Sequence, residues 1–294
     1  TGGGEILFGG NYLGRGPQLN AKATFVDSAS AFRADATGDG HGGRIFVWSD
    51  DQAAVYGSLS ARGNGSGTGG FVETSALGAF DVNPASVNVA GGTWLIDPTD
   101  ITISALAGSN GSFNPLTGQF TPNPGAATAG VSTTAIVNAL NALTSVIVYT
   151  RNPGAAGQGN ITLSGPLTTG SVIAPTTLTL RAANNIIING SITSSGLLSV
   201  NLEANNGTGP LGFEPSDDPN PVTGDISLVG TISLLAGTAQ LSGVNFVMSG
   251  TSSVVSSGGS ITGNFAGTVE LQGLVRASSV NFQSGTDGTG NLNA

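Results

Sequence analysis

Four times in its first hundred residues the chain writes Gly-Gly followed by a short apolar strand: GGEILF (3–8), GGRIFVW (42–48), GGFVET (69–74) and GGTWLI (91–96). The intervals between them are 39, 27 and 22 residues. Further on the opening changes but the unit persists: GNITLSGPL (159–167), NNIIINGSI (184–192), GDISLVGTI (224–232) and GSITGNFAGTV (259–269), at intervals of 25, 40 and 35. More strands of the same kind lie between, at 177–182, 198–204, 244–249, 269–273 and 280–284. Short β-branched strands broken by Gly, Asn and Ser predict an all-β fold. A unit that recurs roughly every 20–40 residues predicts a solenoid, in which each unit buries its apolar face only by stacking on the next. Asn-Gly at 110–111, 189–190 and 206–207 would also suit barrel hairpins. Variable unit length with a constant start favours stacked coils, because a corner loop can lengthen without disturbing the strands. We therefore expect a parallel β-helix forming a single shaft over residues 1–294.

Three segments depart from the pattern. Residues 132–150, STTAIVNALNALTSVIVYT, open with Ile136, Leu140 and Leu143 at helical spacing behind a capping Ser132 or Thr133. This predicts a short helix over about 133–142 and a strand over 145–150. Residues 105–130 and 207–224 read as excursion loops; together they hold seven of the thirteen prolines. Loops of that length usually carry function or move.

Composition narrows the function classes. Hydrophobic residues make up 38 %, enough for a core and too many for disorder. The net charge is −9, with eight Lys and Arg in all, so nucleic acid and anionic membrane surfaces are unsuitable partners. There is no cysteine, hence no disulfide, thiolate metal site or Cys nucleophile. No apolar run is long enough for a membrane-spanning helix. Both ends fall in mid-pattern, at TGGGEILFGG and TDGTGNLNA, which leads us to expect a piece of a longer protein.

Catalytic chemistry is thinly supplied. General acid–base work needs paired carboxylates or a partnered histidine, yet no Asp or Glu occurs between Asp100 and Glu203. The single histidine, His41, sits in a glycine turn. We expect no enzyme and no cofactor. Calcium is the one ion worth weighing, since it takes six to eight oxygens and a loop can assemble them. The candidate ligands are Asp217, Asp218, Asn220 and Asp225 in PSDDPNPVTGD. Asp35 and Asp39, in RADATGDGHGG, are a fainter possibility. In GGTWLIDPTDITI, Trp94 and Ile96 share one face and Leu95 takes the other. Asp97, Pro98 and Asp100 have the chemistry of a tight turn, in which Pro presets φ and Asp accepts backbone N–H bonds. This stretch reads as a structural signature, with Trp94 filling the core.

The long word strings at 9–76, GTWLIDPTDITI (92–103), ALNALTSVIVYT, GNITLSGPL and TLTLRAANNIIINGSI (177–192) resemble the filamentous-haemagglutinin-like exoproteins of Gram-negative two-partner secretion. The resemblance implies a right-handed parallel β-helix, export through an outer-membrane β-barrel transporter, and a secreted or surface-exposed adhesin. It also implies partners on a host or neighbouring cell and homotypic filament assembly, with no insertion into the membrane. Asn-Pro occurs at 83, 114, 123, 152 and 220, never followed by Asn-Leu or Asn-Gly. The family's secretion-domain words are thus missing, and the segment is expected to lie downstream, in the shaft. The alternatives are a glycan- or host-protein-binding module working through its excursion loops, and a polysaccharide-active β-helix enzyme.

Overall fold

The computed structural model describes residues 1–294 except 84, 106–110, 115, 117–118, 123–128, 152–158, 205–223, 286–291 and 294. The chain divides into two compact units, Thr1–Ile147 and Val148–Ala294. Both are built from parallel strands stacked coil on coil, as in a parallel β-helix. No helix is long and apolar enough to cross a membrane.

The first unit begins with three coils of three strands. They are β1 (Glu5–Phe8), β2 (Ala23–Val26) and β3 (Ala31–Arg33); β4 (Arg44–Ser49), β5 (Gln52–Val55) and β6 (Ser58–Ser60); and β7 (Phe71–Ala76), β8 (Ala79–Val82) and β9 (Ser86–Asn88). Each strand pairs in parallel with its counterpart one coil on, so three faces run along the stack. A fourth strand on the first face, β10 (Thr93–Pro98), pairs with β7. The Gly-Gly pairs mark where neighbouring coils touch backbone to backbone. A Cβ on Gly43 would strike the carbonyl oxygen of Gly4, and one on Gly70 that of Gly43. Any larger residue there would force the coils apart, which is why the pair recurs at strand entrances.

Alternation fills the interior. Ile45, Val47, Val72, Thr74, Trp94 and Ile96 face inward and are fully buried. The outer face of this sheet is covered too. Residues 9–20 form a strap over it, with a short helical turn at Tyr12–Gly14. Tyr12 packs edge-on against Phe46 and Phe71. Gly14 lies on the Trp48 indole at φ 67°, where a Cβ would overlap the ring.

The excursion expected at 105–130 is partly regular. It holds an antiparallel hairpin, β12 (Gly111–Asn114) with β13 (Gln119–Pro122), and ends in a returning strand, β14 (Ala129–Ser132). Before it comes β11 (Ile101–Ser104). Here the stacking order inverts the chain order: β14 pairs with β8, and β11 pairs with β14 on the far side. Strand phase supplies the reason. β5, β8 and β11 each start eight residues after the start of β4, β7 and β10. The register Arg44↔Phe71↔Thr93 on one face and Gln52↔Ala79 on the next would therefore set Ile101 on Ala79. Ile101 and Ile103 would then point outward, and Thr102 and Ser104 would enter the core beside Phe80 and Val82. Instead Ala129 and Val131 of β14 stack on Phe80 and Val82, and Ile103 stacks inward on Val131.

The helix α1 (Thr133–Asn141) follows, with Ser132 capping it through a 3.0 Å bond from the Ala135 N–H. Its buried Ile136 and Leu140 keep the predicted spacing. Then comes β15 (Ser145–Tyr149), one residue shorter than expected.

The second unit has the same three-faced plan. Its coils are β16 (Ile161–Leu163), β17 (Leu167–Thr169) and β18 (Thr176–Arg181); β19 (Ile186–Ile188), β20 (Ser191–Ser194) and β21 (Leu198–Glu203); and β22 (Ile226–Leu228), β23 (Thr231–Leu234) and β24 (Ala239–Gly243). The last two coils are β25 (Phe246–Met248) with the long β26 (Ser253–Phe265), and β27 (Val269–Leu271) with β28 (Leu274–Gln283). β26 and β28 each bend across two faces, with a register shift between Ser256 and Ser260. A final short strand, β29 (Leu292–Asn293), pairs with β27. The repeat expected at 259 is therefore corrected: the fourth start in that column is β25, and 259–265 belongs to the third face of the same coil. Phe246 stacks on both Phe265 and Phe282 in the interior of these last coils.

Candidate functional site

The candidate residues are mostly occupied in holding one coil to the next. Trp94 is fully buried and donates from Nε1 to the Thr74 hydroxyl at 3.0 Å, one coil away. Asp97 and Pro98 are not turn residues. Both lie inside β10, where Asp97 is fully buried in register with Ser75. The bend falls at Thr99–Asp100, and the Thr99 hydroxyl bonds the Leu77 carbonyl at 2.8 Å. The turn was expected two residues early because Asp-Pro is a strong turn signal in isolation. Here the coil geometry set by Ser75 and Ala76 overrides it.

The glycine-rich loop 33–43 stacks on the loop one coil on, with a constant offset. Asp35 takes the Arg62 backbone N–H at 2.7 Å and its guanidinium at 2.9 Å. Asp39 takes the Ser66 N–H and hydroxyl, each at 2.9 Å. His41 Nδ1 takes the Thr68 N–H at 3.1 Å. All of these contacts join residues 27 apart. Partial burial pushes the Asp35 carboxyl up, but the bonds and charge of Arg62 outweigh it and hold it below 3.8. The Ser66 backbone N–H, helped by its hydroxyl, lowers Asp39 likewise. These are coil-to-coil locks, and their oxygens point at protein donors.

Of the four calcium candidates, Asp217, Asp218 and Asn220 lie outside the described residues, as does most of the 207–224 excursion. Asp225 belongs to a ladder up one corner of the second unit. The Asn160 side-chain oxygen takes the Asn185 N–H, and Asn185 takes the Asp225 N–H. Asp225 takes the N–H and side-chain amide of Asn245, and Asn245 takes the Thr268 N–H. The rungs are 25, 40, 20 and 23 residues apart in the chain. Among the described residues no three of His, Cys, Asp and Glu converge to hold a metal ion.

Two features have little or no signal in the sequence. Glu73 and Asp81 are fully buried carboxylates. Glu73 receives the Leu13 N–H of the strap at 3.2 and 3.1 Å and the Ser75 hydroxyl at 2.8 Å. The Tyr56 hydroxyl donates to Asp81 at 2.8 Å. Elsewhere, the third face of the second unit carries a groove of ≈ 260 Å³ on its outer side. Its walls come from Glu203 of β21, Gln240 and Ser242 of β24, Thr262 and Asn264 of β26, and Asn281 and Gln283 of β28. The only hint in the sequence is that outward positions of the strands in AQLSG, SITGNF and VNFQS are amides and hydroxyls rather than charges.

No family model matches the chain, and no curated protein matches it.

Proposed function

We propose that the chain is the non-enzymatic shaft of a secreted or surface-exposed bacterial adhesin, exported through an outer-membrane two-partner-secretion transporter. One observation carries this reading: polar and charged side chains that could do chemistry are instead committed to joining successive coils. The Asp35–Arg62, Asp39–Ser66 and His41–Thr68 contacts do so in the first unit, and the Asn160–Asn185–Asp225–Asn245 ladder in the second. A protein that spends its polar groups this way maximises length and stiffness along the stack. The resemblance of its word strings to filamentous-haemagglutinin-like exoproteins points the same way.

Filament assembly is part of the proposal. It rests on the resemblance to exoproteins that form surface or released fibres, and on the stacked-coil fold, in which coils add along one axis. Negative-stain microscopy of the purified chain over a concentration series, paired with attachment of bacteria displaying it, tests both parts. Fibres that lengthen with concentration, and attachment lost when the chain is absent, are expected. Particles that stay monomeric, on cells whose attachment is unchanged by its removal, would overturn the reading.

A further inference from the structure

We propose that the groove on the third face of the second unit is a binding site for a neutral, hydroxyl-rich ligand, a linear oligosaccharide lying across the strands. The proposal does not depend on the shaft reading. Two amide systems in one unit carry it by contrast. In the corner ladder every amide is engaged from coil to coil. In the groove, Gln240, Asn264, Asn281 and Gln283 make no side-chain hydrogen bond within the described protein, and neither do the hydroxyls of Ser242 and Thr262. Six polar side chains thus stand in two rows on a rigid sheet. Register sets Gln240 beside Thr262 and Asn281, and Ser242 beside Asn264 and Gln283.

The chemistry of the rows selects the ligand. Each carboxamide offers an acceptor and two donors, and each hydroxyl offers both. Along each row the side chains repeat at about 4.8 Å, the spacing of paired strands, and the two rows lie two residues apart on each strand. A sugar hydroxyl likewise donates and accepts, so a chain of sugars meets the grid without leaving either partner unsatisfied. Among the described residues Glu203 is the one charged residue in the lining, it is tied to Arg181 at 2.7 and 3.0 Å, and no cation stands in the lining. A phosphate or sulfate ester would find no counter-charge there and would face a carboxylate. An apolar ligand would strip water from the amides and return nothing, a cost of about 1–3 kcal/mol for each group left unsatisfied. Among the described residues no aromatic side chain lines the groove. The sugars therefore bind by their edges rather than by ring stacking, and affinity is modest, on the order of 1 mM, with selectivity coming from hydroxyl geometry.

The side-chain amide signals of the full ¹⁵N-labelled chain report on this directly. The probes are four neutral linear hexasaccharides (β-1,4-glucan, β-1,3-glucan, α-1,4-glucan and β-1,4-mannan) and one acidic one, hexagalacturonate. At least one neutral probe is expected to shift the NH₂ signals of Gln240, Asn264, Asn281 and Gln283 saturably, leaving those of Asn185 and Asn245 in place. Hexagalacturonate is expected to bind at least tenfold more weakly. The double variant Q240A/N264A removes one amide from each row and should abolish the shifts at Asn281 and Gln283. Both sites are outward-facing, so the backbone spectrum reports whether the fold is kept; Q240T/N264S replaces it if not. If no neutral probe moves the four signals at concentrations up to about 20 mM, well above the affinity expected here, the proposal is wrong. Tighter binding of the acidic probe, or unchanged binding by the variant, overturns it equally.

Discussion

Glu73 sits in a position with no solvent exposure, and the donors that meet it there explain how it is tolerated. The Leu13 N–H spans both oxygens and the Ser75 hydroxyl donates to one of them. The carboxylate thereby pins the 9–20 strap, whose Leu13 is held at φ 55°, a conformation that costs a branched residue energy. Replacing Glu73 with Ala leaves a buried N–H unsatisfied and should lower stability by about 2–3 kcal/mol in urea unfolding. Glu73→Gln keeps an acceptor and should lose less than half as much. Equal losses would mean that the acceptor kept by Gln does not hold the Leu13 N–H of the strap. A second residue-scale prediction concerns acid. Asp35 and Asp39 are lowered in the folded state, so their bonds stabilise it above the ordinary carboxylate value of 3.8 and are lost as pH falls below it. The backbone amide signals of Arg62 and Ser66 should therefore move together below about pH 4, where free carboxylates would already be protonating. D35N/D39N should flatten that response. Alternation in GGTWLIDPTDITI was enough to assign Trp94 and Leu95 to opposite faces. The burial of Glu73 was not legible, because nothing in GGFVETSA says that a strap twelve residues long will cover its outer face.

At the scale of elements, the helix and the inverted strand pair make a useful contrast. α1 could be read directly, since Ser132 caps it and Ile136 and Leu140 face one side, all within ten residues. The order β8–β14–β11 could not, because it rests on a pairing between residues 49 apart in the chain, Val82 with Val131. Its cause is nonetheless written locally, in the one-residue phase error that keeps Ile101 and Ile103 off the β8 edge. The chain lacks cysteine, so cross-linking can test the order cleanly. Thr102 and Gly130 are register partners, and so are Gly130 and Asp81, which leaves Thr102 and Asp81 two strands apart. Two strand spacings come to about 9.6 Å, beyond the roughly 7 Å that a disulfide bridges. Under mild oxidation T102C/G130C should form a disulfide and D81C/T102C should not. The reverse result would show β11 stacked directly on β8. Val131→Asp, which buries a charge between Val82 and Ile103, should cost at least about 3 kcal/mol. Hydrogen exchange should rise first in β11 and β14 and leave β4, β7 and β10 protected.

For the whole molecule, the repeating starts were enough to predict stacked parallel coils, because a strand of this composition has few other ways to bury one face and hydrate the other. Coil length was not: intervals of 25, 40, 20 and 23 along one column are set by corner segments that strand alternation ignores. What stays constant is the rung at the corner, and it makes each coil's stability depend mainly on its two neighbours. Asn245 sits at the busiest rung, giving two bonds to Asp225 and receiving one from Thr268. Asn245→Ala removes its side-chain bonds to both neighbouring coils and should destabilise by about 1–3 kcal/mol, since the Thr268 N–H and the Asp225 oxygen lose a partner. In a globular core such a loss spreads through shared packing. In a stacked-coil fold it should stay in place. Faster exchange is expected in β22, β25 and β27, with β16 and β19 nearly unchanged and the strands of the first unit untouched. If calcium instead held the Asp225 corner, adding a chelator to the wild-type chain would reproduce that exchange pattern. The ladder as built predicts that chelation leaves exchange in β22, β25 and β27 where it was.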